Sequence, residues 1–66
     1  MKIQINGEPL ELADKVTISV LVSQMALEGQ RYAIEVNEEI VSRSNHDTHC
    51  LNDGDQVEIV QAIGGG

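Results

Sequence analysis

The sequence has few aromatic residues: its 66 residues include one Tyr and neither Phe nor Trp. Hydrophobic residues make up 41% of the chain and are therefore mostly aliphatic. A chain this short buries only about 60% of the surface that its unfolded form exposes, so it can hold one thin core. A deep catalytic cleft usually needs walls from several layers of structure. We therefore expect a protein that is not an enzyme and has no intrinsic catalytic residue.

Positive charge is also scarce, with four Lys and Arg against eleven Asp and Glu and a net charge of -7. A surface of this sign repels phosphate backbones and anionic lipid headgroups. The acidic residues are scattered along the chain, as on a solvated surface, and their field favours basic partners. We expect no nucleic acid and no membrane among the partners.

Cysteine and long apolar runs are nearly missing. Cys50 is the only cysteine, which excludes an internal disulfide and favours a reducing compartment. The first six residues alternate polar and apolar instead of forming the apolar block of a signal peptide, and no later run is long enough to span a bilayer. The sequence predicts a cytoplasmic protein.

One group of residues has the chemistry of metal ligands: His46, His49 and Cys50. The group is one ligand short of a tetrahedral zinc site, so we predict no metal site. Instead, the two histidines are expected on the surface, and Cys50 is expected to act as a small apolar side chain in the core. Glycine loops for phosphate and a nucleophilic serine elbow do not occur either.

The first part of the chain alternates with a period of two residues. Residues 2–5 and 10–13 lie on either side of Asn6 and Gly7, a pair that favours a tight turn, so an opening β-hairpin is predicted. Pro9 has no backbone N–H and should lie at a strand start or on an edge strand.

The period then changes to that of a helix. Thr17 is a suitable N-cap, and Gly29 is predicted to end the helix. The β-branched content of the segment leaves a buried strand as the competing interpretation. The apolar residues that follow the i, i+3, i+4, i+7 spacing are Ile18, Leu21, Val22 and Met25.

Alternation returns at residues 32–37, continues in a short strand at 40–41, and ends in a strand at 57–61 after the turn at 52–55. The order of elements predicts an α+β fold. We expect a β-grasp with a mixed four- to five-stranded sheet and one main helix packed on one face.

In a β-grasp the first and last strands are parallel neighbours, so the C-terminal residues project from the end of the sheet. We therefore divide the chain into a β-grasp domain, residues 1–61, and a flexible tail, residues 62–66. Val57 and Ile59 should face the core. The expected partner contacts are Val60, Ala62 and Ile63.

The tail ends in Gly64, Gly65 and Gly66. Three glycines contribute no side-chain burial and lose the most backbone entropy if they become ordered. A glycine end can thread a narrow channel in another enzyme and present its α-carboxylate without a Cβ in the way. The same composition also fits a frayed terminus, and the glycines alone leave both interpretations open.

Five segments together carry a family resemblance: MKIQING at residues 1–7, TISVLV at 17–22, NEEIVSR at 37–43, LNDGDQVEI at 51–59 and IGGG at 63–66. Through them the sequence resembles the ThiS family of sulfur carrier proteins of thiamine biosynthesis over essentially its whole length. It departs from the family pattern at Ser42, where proline is frequent, and at Val20, where an acidic residue often completes a capping box.

The resemblance implies a ubiquitin-like β-grasp and a carrier cycle. A ThiF-like adenylating enzyme would use ATP and magnesium to activate the Gly66 carboxylate. Sulfur from a cysteine desulfurase route would then give a thiocarboxylate, and a ThiG-like thiazole synthase would receive that sulfur. The carrier itself would bind no cofactor. Gly66 would be the modified residue, and Gly64 and Gly65 would let it extend into the active site of the partner enzyme.

Three alternatives stay open at this point. A molybdopterin-type sulfur carrier would share the fold and the tail. A ubiquitin-like modifier would attach the activated terminus to lysines of target proteins. An interaction module would bind a partner through its sheet, and its tail would have no role.

Overall fold

The computed structural model describes residues 1–27 and 29–61. Within these residues the order of elements is the predicted one, with a 3-10 turn at Arg43–Asn45 before the last strand. The elements are β1 (Lys2–Ile5), β2 (Glu8–Glu11), α1 (Ile18–Gln24), β3 (Tyr32–Val36), β4 (Glu39–Val41) and β5 (Gln56–Gln61).

The strands form one mixed sheet in the order β2-β1-β5-β3-β4. β1 and β5 are parallel, with Gln4 opposite Gln56, and the other neighbours are antiparallel. The predicted pairing of the first and last strands is therefore confirmed. Pro9 lies in the edge strand β2, where the missing N–H costs no interior hydrogen bond.

The core lies between α1 and one face of the sheet. Ile3, Ile34 and Val57 supply its sheet side, and the alternation of each strand leaves their neighbours on the outer face. Ile18 and Leu21 of the helix are 0% exposed. Val57 is buried and Ile59 packs partly buried against the same core, so both side chains have the predicted orientation.

The helix begins where the sequence predicts. Thr17 has an extended backbone, and its Oγ1 accepts a hydrogen bond of 3.3 Å from the N–H of Val20. The competing interpretation of this segment as a buried strand is wrong. Among the described residues, no helix has the length and apolar character needed to cross a membrane.

The helix ends earlier than predicted, at Gln24 instead of near Gly29. Ala26 adopts a left-handed conformation with φ of 57°. Its N–H donates to the Ser23 carbonyl at 3.1 Å, and the N–H of Leu27 donates to the Val22 carbonyl at 3.0 Å. These two bonds form a Schellman motif, which releases the chain from the helix at an alanine in a position where glycine is usual.

Candidate functional site

The central strand β5 leads directly into the predicted tail, so the end of this strand is the candidate functional site. Ala62, Ile63 and the three glycines that end in Gly66 lie outside the described residues. The division into a domain of residues 1–61 and a tail of residues 62–66 stays a prediction. The structure gives the geometry up to Gln61, the last described residue.

The start of β5 is held by Asn37. Its N–H donates to the Gln56 carbonyl at 2.8 Å, and its Oδ1 accepts from the Gln56 N–H at 3.0 Å. Its Nδ2 also donates to Oδ1 of Asp55 at 3.0 Å. Asp55 is buried, and its second oxygen accepts from the N–H of Asn52 at 2.8 Å. The side chains of Asn37 and Asp55 therefore hold the turn before β5 through hydrogen bonds.

Asn6 holds the middle of β5 from the side of β1. Its backbone N–H donates to the Val57 carbonyl at 2.9 Å. Its side chain then reaches further along β5: Oδ1 accepts from the N–H of Ile59 at 2.9 Å, and Nδ2 donates to the Ile59 carbonyl at 3.3 Å. The side-chain amide thus takes the place of the next strand residue after β1 turns away at φ of 49°.

The end of β5 is held from the side of β3. Gln61 lies opposite Tyr32 in the last pair of this ladder. The side-chain Nε2 of Gln61 donates to Oε1 of Gln30 at 2.6 Å. Arg43 donates from Nη2 to the Gln30 carbonyl at 3.0 Å, and its guanidinium carbon lies 4.4 Å from the centre of the Tyr32 ring. This is a cation–π contact.

His46 lies behind this group of residues. It is 6% exposed, so the prediction of a surface histidine is wrong for this position. Its ring stacks on Tyr32 with centroids 6.1 Å apart, and Nε2 donates to the Val41 carbonyl at 3.1 Å. A packed aromatic neighbour and a satisfied ring nitrogen make this burial favourable.

Cys50 is exposed, so the prediction that it fills the core is also wrong. Leu51 is the buried residue, and its N–H donates to the Val16 carbonyl at 2.9 Å. In extended backbone, neighbouring side chains point to opposite sides, which turns Cys50 outward. Among residues 1–27 and 29–61, no three His, Cys, Asp or Glu side chains come together as a metal site.

The outer face of the sheet carries an apolar surface next to the end of β5. Val60 is 55% exposed and lies opposite the exposed Ala33. Ile40 of the edge strand β4 is 74% exposed and lies opposite Glu35, which shares a face with Ala33. We call Val60, Ala33 and Ile40 the outer apolar surface. Of these three residues, the sequence predicted only Val60 as a partner contact, because Ala33 and Ile40 come next to it only through the strand register.

A charged pair borders this surface. Glu35 of β3 lies directly opposite Glu58 of β5. Like charges in this position repel each other, which costs stability in the free domain. The two carboxylates belong to the eleven acidic residues that give the net charge of -7, and their local negative potential favours an approaching basic surface.

Comparisons with known proteins agree on one family. The ThiS family model matches residues 3–66. A thiazole synthase of Paramagnetospirillum magneticum is 39% identical over 66 residues, and the match covers 100% of this chain but 20% of that protein. The chain thus spans about a fifth of the length of this relative. The sulfur carrier protein ThiS of Escherichia coli is 32% identical over 66 residues and 100% of both chains.

The fold also has a solved counterpart. The crystal structure of the thiamine biosynthesis protein ThiS from Geobacter metallireducens superposes with a TM-score of 0.86, at 29% identity and 100% coverage of both chains. This likeness confirms the β-grasp that the order of elements predicted. By sequence and by structure, the chain belongs to the ThiS family of sulfur carrier proteins of thiamine biosynthesis.

Proposed function

We propose that this protein carries sulfur on the α-carboxylate of Gly66 for formation of the thiazole ring of thiamine. One observation carries the proposal: the last strand is the central strand of the sheet, so residues 62–66 follow directly from its most supported element. The family match also includes the glycines, because it runs to residue 66. The folded domain is then the handle that presents this carboxylate.

The first step of the proposed cycle is activation by a ThiF-like adenylating enzyme. The Gly66 carboxylate oxygen attacks the α-phosphorus of ATP, and magnesium pyrophosphate leaves. The product is an acyl adenylate, whose carbonyl carbon is electrophilic because AMP is a good leaving group. ATP and magnesium belong to the partner enzyme in this proposal. This chain contributes the reacting end and no cofactor of its own.

The second step is sulfur transfer. A persulfide formed by a cysteine desulfurase route attacks the acyl carbon and displaces AMP, and a thiol then cleaves the resulting acyl disulfide to leave a thiocarboxylate on Gly66. A ThiG-like thiazole synthase receives this sulfur. The thiazole synthase of Paramagnetospirillum magneticum supports this partner, since a segment of that protein is similar to the whole of this chain. The carrier acts as a co-substrate in the cytoplasm.

We assign partner docking to the outer apolar surface, together with Ala62 and Ile63 of the tail. Val60 lies within about two residues of the tail, so a partner that receives the tail also meets this side chain. Apolar residues that are exposed in a free protein and buried in a complex are typical of interface centres. The bordering Glu35 and Glu58 favour a partner with Lys or Arg at the matching position.

The proposal is tested by incubating the protein with a ThiF-family adenylating enzyme, ATP, magnesium and sulfide. We expect intact-mass analysis to show one terminal oxygen replaced by sulfur. A variant that lacks Gly66 is the matched control and should keep its mass. An unchanged wild-type mass would contradict the proposal, and a conjugate linked to lysines would indicate a ubiquitin-like modifier instead.

A second experiment decides the pathway. The thiocarboxylate form is offered separately to a ThiG-family thiazole synthase and to the large subunit of a molybdopterin synthase. We expect sulfur loss from Gly66 with the thiazole synthase only. Transfer to molybdopterin synthase alone would indicate the other type of carrier.

A further inference from the structure

The residues around the end of β5 support Gln61 unevenly from the two sides. On the side of β1, the parallel ladder ends at the pair of Ile5 and Val57, and the last described support is the Asn6 side chain on Ile59. Gln61 lies beyond that support. Its position therefore depends on β3 and on the residues that pack behind β3.

Three residues meet at that point, and we call Gln30, Tyr32 and Arg43 the exit cluster. Tyr32 is the ladder partner of Gln61, and Gln30 accepts the side-chain hydrogen bond of Gln61 at 2.6 Å. Arg43 joins the other two members, because it donates to the Gln30 carbonyl at 3.0 Å and lies 4.4 Å from the Tyr32 ring centre. The cluster forms one connected set of contacts that ends at Gln61.

The cluster is anchored to the rest of the domain through His46. This buried ring stacks on Tyr32, and the His46 carbonyl accepts from the N–H of Ser19 in α1 at 3.1 Å. Nε2 of His46 is held by the Val41 carbonyl at the end of β4. The contacts of Gln61 are thus connected to the helix and to the edge strand.

The short tail makes this support relevant to the carrier cycle. Five residues follow Gln61, and a fully extended chain of that length reaches about 17 Å. A tether this short has little slack, so the direction in which it leaves the domain determines how often its end reaches a fixed point in a docked partner. Small displacements at a reacting centre lower rates strongly.

We propose that Gln30, Tyr32 and Arg43 are positioning residues that fix where the tail leaves the domain and thereby set the rate of Gly66 activation. This inference rests on the proposed function, because it assumes that the Gly66 carboxylate is the reacting group. The residues act through Gln61 and do not touch the substrate. A purely structural role would lower stability and leave the activation rate of the folded protein unchanged.

The first test compares Arg43→Gln with Arg31→Gln. Both changes remove one positive charge, and Arg31 is an exposed residue next to Tyr32 in the chain. With an adenylating enzyme, we expect Arg43→Gln to lower kcat about threefold to tenfold with little change in KM, since the docking surface is intact. Arg31→Gln should keep the wild-type kcat. Gln30→Ala should reproduce the effect of Arg43→Gln while the contact between Arg43 and the Tyr32 ring is retained.

The second test needs no partner. The ¹⁵N relaxation of the Gln61 amide should give an order parameter of about 0.85 in the wild type and a value nearer 0.6 in Arg43→Gln and Gln30→Ala. Unfolding in urea identifies variants that remain folded. Wild-type order parameters in both variants would overturn the inference, and so would wild-type kcat in both. If the wild-type protein itself is not adenylated, both the proposed function and the positioning role fail. If the wild type is adenylated and both variants keep its kcat, only the positioning role fails.

Discussion

The side chain of Asn6 forms both of its hydrogen bonds with the backbone of Ile59, a residue 53 positions away in the chain. It does so from a turn with φ of 49°, a conformation that asparagine tolerates better than most residues. One residue therefore serves two purposes: it turns the first hairpin, and its amide extends the support of β5 beyond the end of β1.

Replacing Asn6 tests this support. Asn6→Gly keeps the positive φ and loses both side-chain bonds, so we expect the free energy of unfolding to fall by about 1–3 kcal/mol. Asn6→Asp keeps an acceptor for the Ile59 N–H and loses the Nδ2 donor, so its loss should be smaller. Urea denaturation followed by circular dichroism measures both. Wild-type stability in Asn6→Gly would show that the two bonds contribute nothing.

The helix end offers a stabilising change. Ala26 occupies a left-handed conformation that disfavours any side chain with a Cβ. We expect Ala26→Gly to raise the free energy of unfolding by about 0.5–1 kcal/mol, because relief of this strain exceeds the entropy that glycine adds to the unfolded chain.

Ala33→Gly is the control for Ala26→Gly. Ala33 lies in β3, where glycine weakens the strand, so this variant should lose about 0.5–1 kcal/mol. The midpoints of urea unfolding should therefore move in opposite directions for the two variants. A lower midpoint for Ala26→Gly would contradict the strain that we assign to its backbone.

The outer apolar surface is tested at Val60. Val60→Ser removes the apolar contact from the proposed docking surface, and we expect KM for the adenylating enzyme to rise about threefold to tenfold with kcat nearly unchanged. Val20→Ser is matched in chemistry and in exposure, at 43% against 55%, and lies on the helix side of the sheet. Equal KM values for the two variants would remove Val60 from the docking surface.

The exposure of Cys50 is tested by thiol labelling. A maleimide should react with the folded protein within about tenfold of its rate with the urea-unfolded protein, because no unfolding is needed to reach the thiol. Cys50→Ser should change stability by no more than about 0.5 kcal/mol. Strong protection in the folded state would restore the earlier expectation of a core cysteine.

The sequence predicted the features that depend on local patterns. Strand alternation placed Val57 and Ile59 toward the core, and the Thr17 cap together with the 3.6-residue spacing gave the start of α1. The order of elements then predicted the β-grasp, because few arrangements of these strands pack one helix against a mixed sheet of this length.

Features that depend on contacts between distant residues could not be predicted from the sequence. Nothing near His46 shows that Tyr32 will stack on it, and nothing near Asn6 indicates Ile59 as its partner. The sequence predicts that the helix ends at Gly29, yet the contacts of Leu27 with the core favour an earlier end and place Ala26 in a strained conformation. Composition alone also leaves the function of the tail undecided, and the role that we propose for Gly66 depends on the family match, which runs to residue 66.

The central place of β5 has a consequence for synthesis on the ribosome. β1 pairs with β2, and β3 pairs with β4, but the two hairpins become neighbours only through β5. When only residues 1–55 of a nascent chain have left the ribosome, the two hairpins are not yet joined in one sheet. Isolated hairpins are marginally stable in water. The strand that joins the two hairpins is also the strand that precedes residues 62–66, so the sheet cannot close until the residues directly before the proposed reactive end are available for pairing.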